Sequence, residues 1–311
     1  MNQPFLIKAR LFLAAVLISL GLPASASEPL PVVASFSILA DMVRQVGGPH
    51  VQVTSLVGPN SDAHVFDPTP ADARRLAEAK LVVVNGLGFE GWLNRLVKSS
   101  GYRGPVIVAS KGVKSIPMPE KNKHDGHSHS HSSADPHAWQ NLSNAKRYVE
   151  NIKVALTQAM PAQAATFEAR ATDYLQQIDA LDQSTRSRIG AVAPERRRVI
   201  TSHDAFGYFA AAYGVRFYPL QGLSTGSEAS AADVARIVNE IKKNKVTAIF
   251  AENISDPRVL ERVARDSGAA VGGILYADAL SLPGTQADTY LKMFEHNVST
   301  IVTGISATPK P

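Results

Sequence analysis

The longest helical pattern in the chain covers residues 162–192 and reads AQAATFEARATDYLQQIDALDQSTRSRIGAV. Pro161 precedes the pattern, and no further glycine or proline occurs until Gly190 and Pro194. At about 1.5 Å per residue, an unbroken helix of this length is ~45 Å long, comparable with the width of the whole protein. The pattern therefore predicts one long helix that joins two lobes. The alternative is a pair of helices that break near Ala180.

Short apolar runs alternate with helical patterns on both sides of this helix. Strands are predicted at residues 32–36, 51–57, 81–86, 105–109, 199–202, 215–220, 247–251 and 270–276. Helices are predicted at residues 38–46, 71–79, 89–98, 143–160, 205–213, 230–243, 257–267 and 286–303. Strands joined by single helices form parallel sheets that helices cover on both faces.

We therefore predict an α/β protein of two lobes, each a parallel sheet flanked by helices, although no sequence repeat relates them. The expected division places the N-terminal lobe at residues 27–161, the linking helix at 162–193 and the C-terminal lobe at 194–311. Such a chain is too long for one small core and suits two lobes of ordinary size.

Residues 1–26 have the pattern of a cleaved secretory signal, with a basic start, an apolar run and an Ala24-Ser25-Ala26 end. Cysteine is absent, which excludes disulfides, thiolate ligands and a lipid-bearing cysteine. The expected mature protein is soluble and periplasmic. It carries 30 basic and 27 acidic residues without a basic block, so nucleic acid is not an expected partner.

Five of the nine histidines lie within residues 121–139, KNKHDGHSHSHSSADPHAW. Four of them are set among serine, glycine and aspartate: His124, His127, His129 and His131. Such a composition predicts a mobile loop at 121–133 that captures metal transiently, with an inert linker as the alternative. His137 differs, because Pro136 stiffens the backbone before it and Trp139 can anchor the chain after it.

Four side chains follow predicted strands or the histidine loop where a cleft between the lobes is expected: His64, His137, His203 and Asp278. Ligands of parallel α/β sheets bind outside the carboxyl ends of the strands. Three imidazoles and one carboxylate suit a tetrahedral zinc ion, and without cysteine only nitrogen and oxygen donors are available. Singly, each residue has an alternative role as a turn residue, a buried histidine or a helix cap.

Several further polar residues near the predicted strand ends have other expected roles. Glu252 and Asn253 could orient a metal ligand. Asp204 is expected to cap a helix that begins at Ala205, and Glu228 to solvate a loop. His50 and His296 receive no role.

Together, four motifs resemble those of the periplasmic metal-binding proteins of zinc and manganese ABC importers, the cluster A-I solute-binding proteins. The motifs are Gly58-Pro59 leading to His64 and Asp67-Pro68-Thr69-Pro70, Asp135-Pro136-His137-Ala138-Trp139, Ser202-His203-Asp204-Ala205-Phe206 and Tyr276-Ala277-Asp278-Ala279-Leu280. The resemblance covers essentially the whole chain after the signal. One departure is Ala63, where the family often has proline.

The resemblance implies two α/β lobes joined by one long helix, with metal held between them by His64, His137, His203 and Asp278. It implies one tight Zn²⁺ site and delivery to the membrane permease of an ABC importer, by a monomer that a periplasmic metal-donor chaperone could load. Manganese members commonly have a carboxylate where this chain has His203, and an imidazole there favours zinc.

The alternatives are a manganese-binding member of the same family, a zinc hydrolase and a metal-stabilised adhesin. A catalytic zinc ion keeps a coordination position open, whereas four protein ligands close the site. The chain contains neither an H-E-x-x-H motif nor a nucleophile elbow. An adhesin is disfavoured by the missing lipid anchor. The sequence therefore indicates a binding protein and not an enzyme.

Overall fold

Two four-stranded parallel sheets form the framework of the computed structural model, which describes residues 28–117, 134–222, 225–226, 229–244, 246 and 248–307. The N-terminal sheet contains β1 (Leu30–Phe36), β2 (Val51–Val57), β3 (Leu81–Val84) and β4 (Val106–Val108). The C-terminal sheet contains β5 (Arg198–Thr201), β6 (Arg216–Pro219), β7 (Ala248–Glu252) and β8 (Ala270–Leu275). The orders are β2-β1-β3-β4 and β6-β5-β7-β8, so the two sheets share one topology.

Helices connect the strands and cover the sheets, as the alternation in the sequence predicts. They are α1 (Ser37–Gly47), α2 (Pro70–Glu78), α3 (Leu93–Ser100), α4 (Leu142–Ala159), α5 (Ala164–Gly190), α6 (Gly207–Tyr213), α7 (Ala231–Asn244), α8 (Arg258–Ser267) and α9 (Tyr290–Ser306). This arrangement confirms the predicted fold class. In the part of the chain that the structure describes, no helix is both long and apolar enough to cross a membrane.

Helix α5 is continuous over 27 residues, so the alternative of a break near Ala180 is wrong. Its length is ~40 Å at the usual helical rise. Its buried residues, among them Phe167, Tyr174 and Ile178, recur at helical spacing along one face. That face packs against α1 and α4 in the N-terminal lobe and against α6 and α9 in the C-terminal lobe. The helix therefore serves both lobes as a common support.

One hydrophobic core runs through both lobes. It joins Val82 of the N-terminal sheet and Trp139 to Leu275 and to Phe294 of α9, all of them buried. A separate cluster fills the outer part of the C-terminal lobe and includes Ile249 of β7. The inner halves of the two lobes are therefore packed together.

Three helix starts differ from the prediction. Helix α9 begins at Tyr290 and not at residue 286, because the Thr289 side chain caps it by accepting from the Lys292 amide. Helix α6 begins at Gly207, and its N-cap residue Phe206 makes no side-chain cap bond. The expectation that Asp204 caps a helix starting at Ala205 is therefore wrong.

Helix α3 begins at Leu93 and not at residue 89, because the preceding segment forms a tight loop. Gly86, Leu87 and Gly88 all have positive φ, and the Glu90 carboxylate accepts bonds from the amides of Asn85 (2.6 Å) and Gly86 (3.1 Å). A carboxylate bonded to two backbone amides favours this loop over another helical turn.

The expected capping pair at the start of α7 is confirmed. The Ser230 hydroxyl accepts from the Asp233 amide at 3.2 Å, and the Asp233 carboxylate accepts from the Ser230 amide at 3.0 Å. Such reciprocal bonds satisfy two amides that a helix start leaves without intrahelical partners.

The arginine triplet at residues 196–198 caps the C-terminal ends of three helices. Arg197 donates to the carbonyls of Val192 (2.7 Å) and Gly190 (3.0 Å) after α5. Arg198 donates to Asn244 O of α7 at 2.9 Å, and Arg196 to Ala307 O after α9 at 2.6 Å. Cationic side chains are favourable at helix C-termini, where carbonyls lack intrahelical partners. This triplet therefore has a structural role.

We predict that Arg197→Met lowers the free energy of unfolding by about 1 to 2 kcal/mol, because two carbonyls lose a charged donor. Urea denaturation followed by circular dichroism measures the change. Arg262→Met is the control, since the Arg262 side chain on α8 is 72% exposed, and its cost should stay within about 0.5 kcal/mol. Equal losses for the two variants would contradict the capping role.

Candidate metal centre

The four predicted side chains meet between the carboxyl ends of the two sheets. The Nε2 atom of His64 lies 3.2 Å from His137 Nε2 and 3.1 Å from Asp278 Oδ2. His203 Nε2 lies 3.1 Å from the same Asp278 oxygen, and His137 Nε2 lies 3.6 Å from Asp278 Oδ1. One donor atom from each residue falls within 4.8 Å of the others.

Loops at the ends of strands present these side chains. His64 lies on the loop that follows β2, His203 follows β5 and Asp278 follows β8, whereas His137 directly precedes the short 3₁₀ helix Ala138–Gln140. The side chains of His137, His203 and Asp278 are fully buried, and that of His64 is 7% exposed. A small ion can therefore enter most directly beside His64.

Carboxylates fix the rings of two histidines so that their Nε2 atoms point into the centre. Asp135 Oδ1 lies 2.8 Å from His137 Nδ1 and also accepts from the His137 amide at 2.9 Å. Glu252 bonds His203 in the same way, at Nδ1 and at the amide, the latter at 3.0 Å. Such partners select the tautomer and the orientation of a metal-binding imidazole.

Asn253, the other residue expected to orient a ligand, has a different position. Its side-chain amide donates to Asn60 Oδ1 (3.0 Å) and to Ala279 O (3.2 Å). It therefore joins the loops that carry His64 and Asp278. Glu228 and the loop histidines His124, His127, His129 and His131 lie outside the described residues.

The loop that carries His64 is held without the proline that the resemblance leads one to expect at position 63. Trp92 Nε1 donates to Ala63 O at 2.9 Å, and Ala63 is fully buried. The His64 amide donates to Asp62 Oδ1 at 2.8 Å, and the other oxygen of Asp62 accepts from the Thr225 hydroxyl of the opposite lobe. These bonds constrain the loop in place of a proline ring.

The charges of the site are strongly coupled. Burial alone would raise the pKa of Asp278, but the neighbouring imidazoles of His203 and His137 outweigh it and hold the pKa well below its usual range. Burial likewise opposes protonation of His203, yet the carboxylates of Glu252 and Asp278 outweigh it and raise the His203 pKa well above its ordinary value. The site therefore favours an ionised carboxylate with positive charge beside it.

The donor set fits a divalent cation. Asp278 Oδ1 is buried and has no hydrogen-bond partner among the described residues, an arrangement that is costly unless a cation or donor satisfies the oxygen. Four donors bound at about 2.1 Å in a tetrahedron lie about 3.4 Å from one another. The shorter observed spacings, 3.1 to 3.6 Å, are close to that value.

Aromatic rings surround the donors and limit access by water. The Phe89 ring lies 4.8 Å from the His64 ring, and the Trp139 ring lies 5.3 Å from the His137 ring. In such a setting a charge is screened less than in water, so a cation and the Asp278 carboxylate attract each other more strongly.

The segment that carries Asp278 is attached to the N-terminal lobe. Trp139 Nε1 and Gln140 Nε2 both donate to Ala277 O, at 2.9 and 2.8 Å. The Leu280 amide donates to Ser37 Oγ at 3.0 Å, and Leu280 O accepts from the Asn60 amide at 2.9 Å. Asp278 therefore belongs to the C-terminal lobe by sequence, but the position of its segment depends on both lobes.

Sequence reasoning missed several residues that support the ligands. Asp62 and Asp135 each precede a candidate histidine by two residues and bond to its amide, and this shared Asp-x-His spacing was a usable signal. Asn85 is fully buried at the end of β3, where it donates to Pro136 O at 2.9 Å. Its only local signal was one polar residue after four valines and leucines.

Comparison with known proteins gives a consistent family. Residues 32–304 match the family model described as ZnuA, zinc-uptake complex component A, periplasmic. The manganese-binding lipoprotein MntA of Halalkalibacterium halodurans is 33% identical over 90% of this chain and 89% of its own length. The iron-binding protein YfeA of Yersinia pestis is 31% identical over 98% of both chains.

Solved structures agree with this result. The periplasmic zinc-binding protein TroA from Treponema pallidum has a TM-score of 0.80 and 32% identity, with 90% of this chain and 100% of TroA covered. A manganese-bound mutant of a periplasmic metal-binding protein from Candidatus Liberibacter asiaticus has a TM-score of 0.78 and 32% identity, with coverage of 87% and 97%. The relatives therefore share one fold, while their names specify different metals.

We predict that Glu252→Gln weakens divalent-metal binding by roughly 10- to 100-fold, because His203 loses the charged partner that orients its ring. Competition against a chromogenic chelator measures the affinity. The control is Glu261→Gln on α8 of the same lobe, where the side chain is exposed, and this change should leave the affinity unaltered. An unaltered affinity in Glu252→Gln would show that the carboxylate does not support the metal ligand.

Proposed function

The chain belongs to the ZnuA family, and from this premise we propose that it captures Zn²⁺ in the periplasm and delivers the ion to a membrane importer. It is a metal-binding, substrate-binding protein of an ABC transporter and not an enzyme. The family functions with an ABC permease and its ATPase. Zinc as the cargo, a single tight site and a monomeric state are the finer parts of the proposal.

The composition of the donor set is the observation that carries the choice of zinc. Three imidazole nitrogens and one carboxylate face one point, and all but one of the four residues are fully buried. Zinc accepts such a four-donor tetrahedral set, whereas manganese favours more oxygen donors and a larger coordination number. With three neutral donors and one charged donor, the site supplies the softer set.

The remaining assignments follow from the same proposal. Residues 1–26 would be removed on export, which leaves a lobe at 27–161, a linking helix at 162–193 and a lobe at 194–311. His64, His137, His203 and Asp278 would bind the ion, and a periplasmic metal-donor chaperone could load them. Manganese is the second candidate cargo, because relatives that cover about 90% of this chain are named as manganese-binding proteins.

The decisive experiment is a competitive titration of metal-free protein with Zn²⁺ and Mn²⁺, together with metal analysis of protein purified without added metal. We expect one equivalent of zinc to bind more tightly than manganese. His203→Glu should weaken zinc binding and narrow the difference between the metals by at least about 10-fold, because a hard oxygen donor replaces an imidazole. The control is His296→Glu on α9, where the side chain is partly exposed and bonds Ile274 O.

Two results would overturn the choice of zinc. One is tighter binding of manganese than of zinc by the unaltered protein. The other is an unchanged preference in His203→Glu, because that result would remove His203 from the donor set. Failure of His296→Glu to behave like the unaltered protein would instead point to a general effect of added negative charge.

The histidine tract gives a separate prediction. Replacing His124, His127, His129 and His131 together by glutamine should slow zinc loading at low metal concentration while leaving the equilibrium affinity within about twofold, because transient imidazole contacts raise the encounter rate only. Stopped-flow mixing with a fluorescent zinc chelator measures the rate. A variant with four serines changed to glutamine within residues 121–133 is the control. Equal loading rates in both variants would make the tract a spacer.

A further inference from the structure

We infer that Gly207 and Tyr208, in the first turn of α6, position the metal ligand His137 from the opposite lobe. The Tyr208 side chain is buried, and its hydroxyl donates to Asp135 O at 2.8 Å and accepts from the Ile116 amide at 3.1 Å. Helix α6 lies in the C-terminal lobe, whereas Asp135 and Ile116 belong to the N-terminal lobe. One hydroxyl group therefore holds two segments of the other lobe beside the metal centre.

Gly207 brings the same turn of α6 against the Asp135 carboxylate. A Cβ atom at position 207 would lie 2.6 Å from Asp135 Oδ2, closer than a carbon atom can normally approach an oxygen. The other oxygen, Asp135 Oδ1, bonds both the ring and the amide of His137. The first turn of α6 thus contacts the backbone carbonyl and the carboxylate of the one residue that orients His137.

Residues 135–136 are held from both sides of the cleft. From the N-terminal lobe, Asn85 donates to Pro136 O at 2.9 Å, and Tyr148 donates to Asn85. From the C-terminal lobe, Tyr208 donates to Asp135 O. Since His137 follows immediately, neither lobe alone determines where its ring lies.

The segment of residues 203–208 connects two ligands of the centre. It begins with His203, which binds from the C-terminal lobe, and ends with Tyr208, which supports His137 of the N-terminal lobe. The two imidazole rings lie 5.4 Å apart. Six consecutive residues therefore fix a donor-to-donor spacing across the cleft, and that spacing sets the size of ion that all four donors reach together.

This inference rests on the proposed function, because it treats His137 as a metal ligand. A purely structural role for Tyr208 would be to satisfy the buried carbonyl of Asp135, with no consequence for the centre. The two roles differ in what Tyr208→Phe does to the His137 ring and to metal preference. Loss of one buried hydroxyl lowers stability in either case, so stability alone does not distinguish them.

The test compares Tyr208→Phe with Tyr213→Phe on the same helix, where the Tyr213 hydroxyl bonds Asp182 at 2.7 Å. Zinc and manganese affinities are measured by chelator competition, and long-range ¹H–¹⁵N spectra report the tautomer and mobility of the His137 ring in metal-free protein. We expect Tyr208→Phe to weaken zinc binding roughly 10-fold, to reduce the zinc-over-manganese ratio, and to shift or broaden the His137 resonances. Tyr213→Phe should do none of these.

Gly207→Ala provides a second, independent variant, with Gly190→Ala as its control because a Cβ atom at 190 meets nothing within 4 Å. The added methyl group should displace the Asp135 carboxylate and change the same His137 resonances. Unchanged resonances and unchanged metal preference in Tyr208→Phe would overturn the inference, even if Gly207→Ala failed to fold. Absence of zinc binding in the unaltered protein would contradict the proposed function instead, while the His137 spectra would still test the positioning.

Discussion

The buried carboxylate of Asp278 is the constraint around which the rest of the molecule is arranged. An isolated carboxylate in such a position is strongly unfavourable unless positive charge or hydrogen bonds offset the loss of water. Three imidazoles surround it, and one of its oxygens lacks any hydrogen bond among the described residues. A divalent cation provides the missing interaction, so the metal-free centre has an unsatisfied charge at the place where the cargo binds.

Keeping Asp278 in that place requires both lobes. Its segment bonds Trp139, Gln140 and Ser37 of the N-terminal lobe, and the core beneath it is continuous from one sheet to the other. Helix α5 packs against helices of both lobes over its whole length. A large rotation of one lobe would break these contacts together, which favours entry of the ion by small movements near His64 over wide opening of the cleft.

The identical strand order of the two sheets extends to the residues that support the ligands. Asn85 follows β3 and Glu252 ends β7, the third strand in sequence in each sheet. Asn85 holds the backbone ahead of His137, and Glu252 holds the ring of His203. Equivalent positions of the two sheets thus carry out equivalent tasks with different side chains, which is why the relation is visible in the topology but not in the sequence.

The sequence predicted the strands, the long helix and the four residues that meet at the centre, because each depends on local pattern. Apolar periodicity defines strands and helices, and a histidine directly after a strand lies at the ligand-binding edge of a parallel sheet. What it could not predict depends on contacts between distant residues. Asn85 with Pro136 and Tyr208 with Asp135 are separated by 51 and 73 positions. The starts of α6 and α9 also differ, since helix ends are set by a few competing caps.

These long-range contacts bear on how one fold serves several metals. Relatives with the same architecture are named for zinc, manganese and iron, so the fold itself does not select the ion. Selection must therefore come from the identity of the donors and from how firmly their spacing is held. In this chain the donors are three imidazoles and one carboxylate, and two of the imidazoles are oriented by buried carboxylates. A rigid spacing penalises an ion whose preferred bond lengths differ, because the donors cannot relax around it without breaking contacts in both lobes.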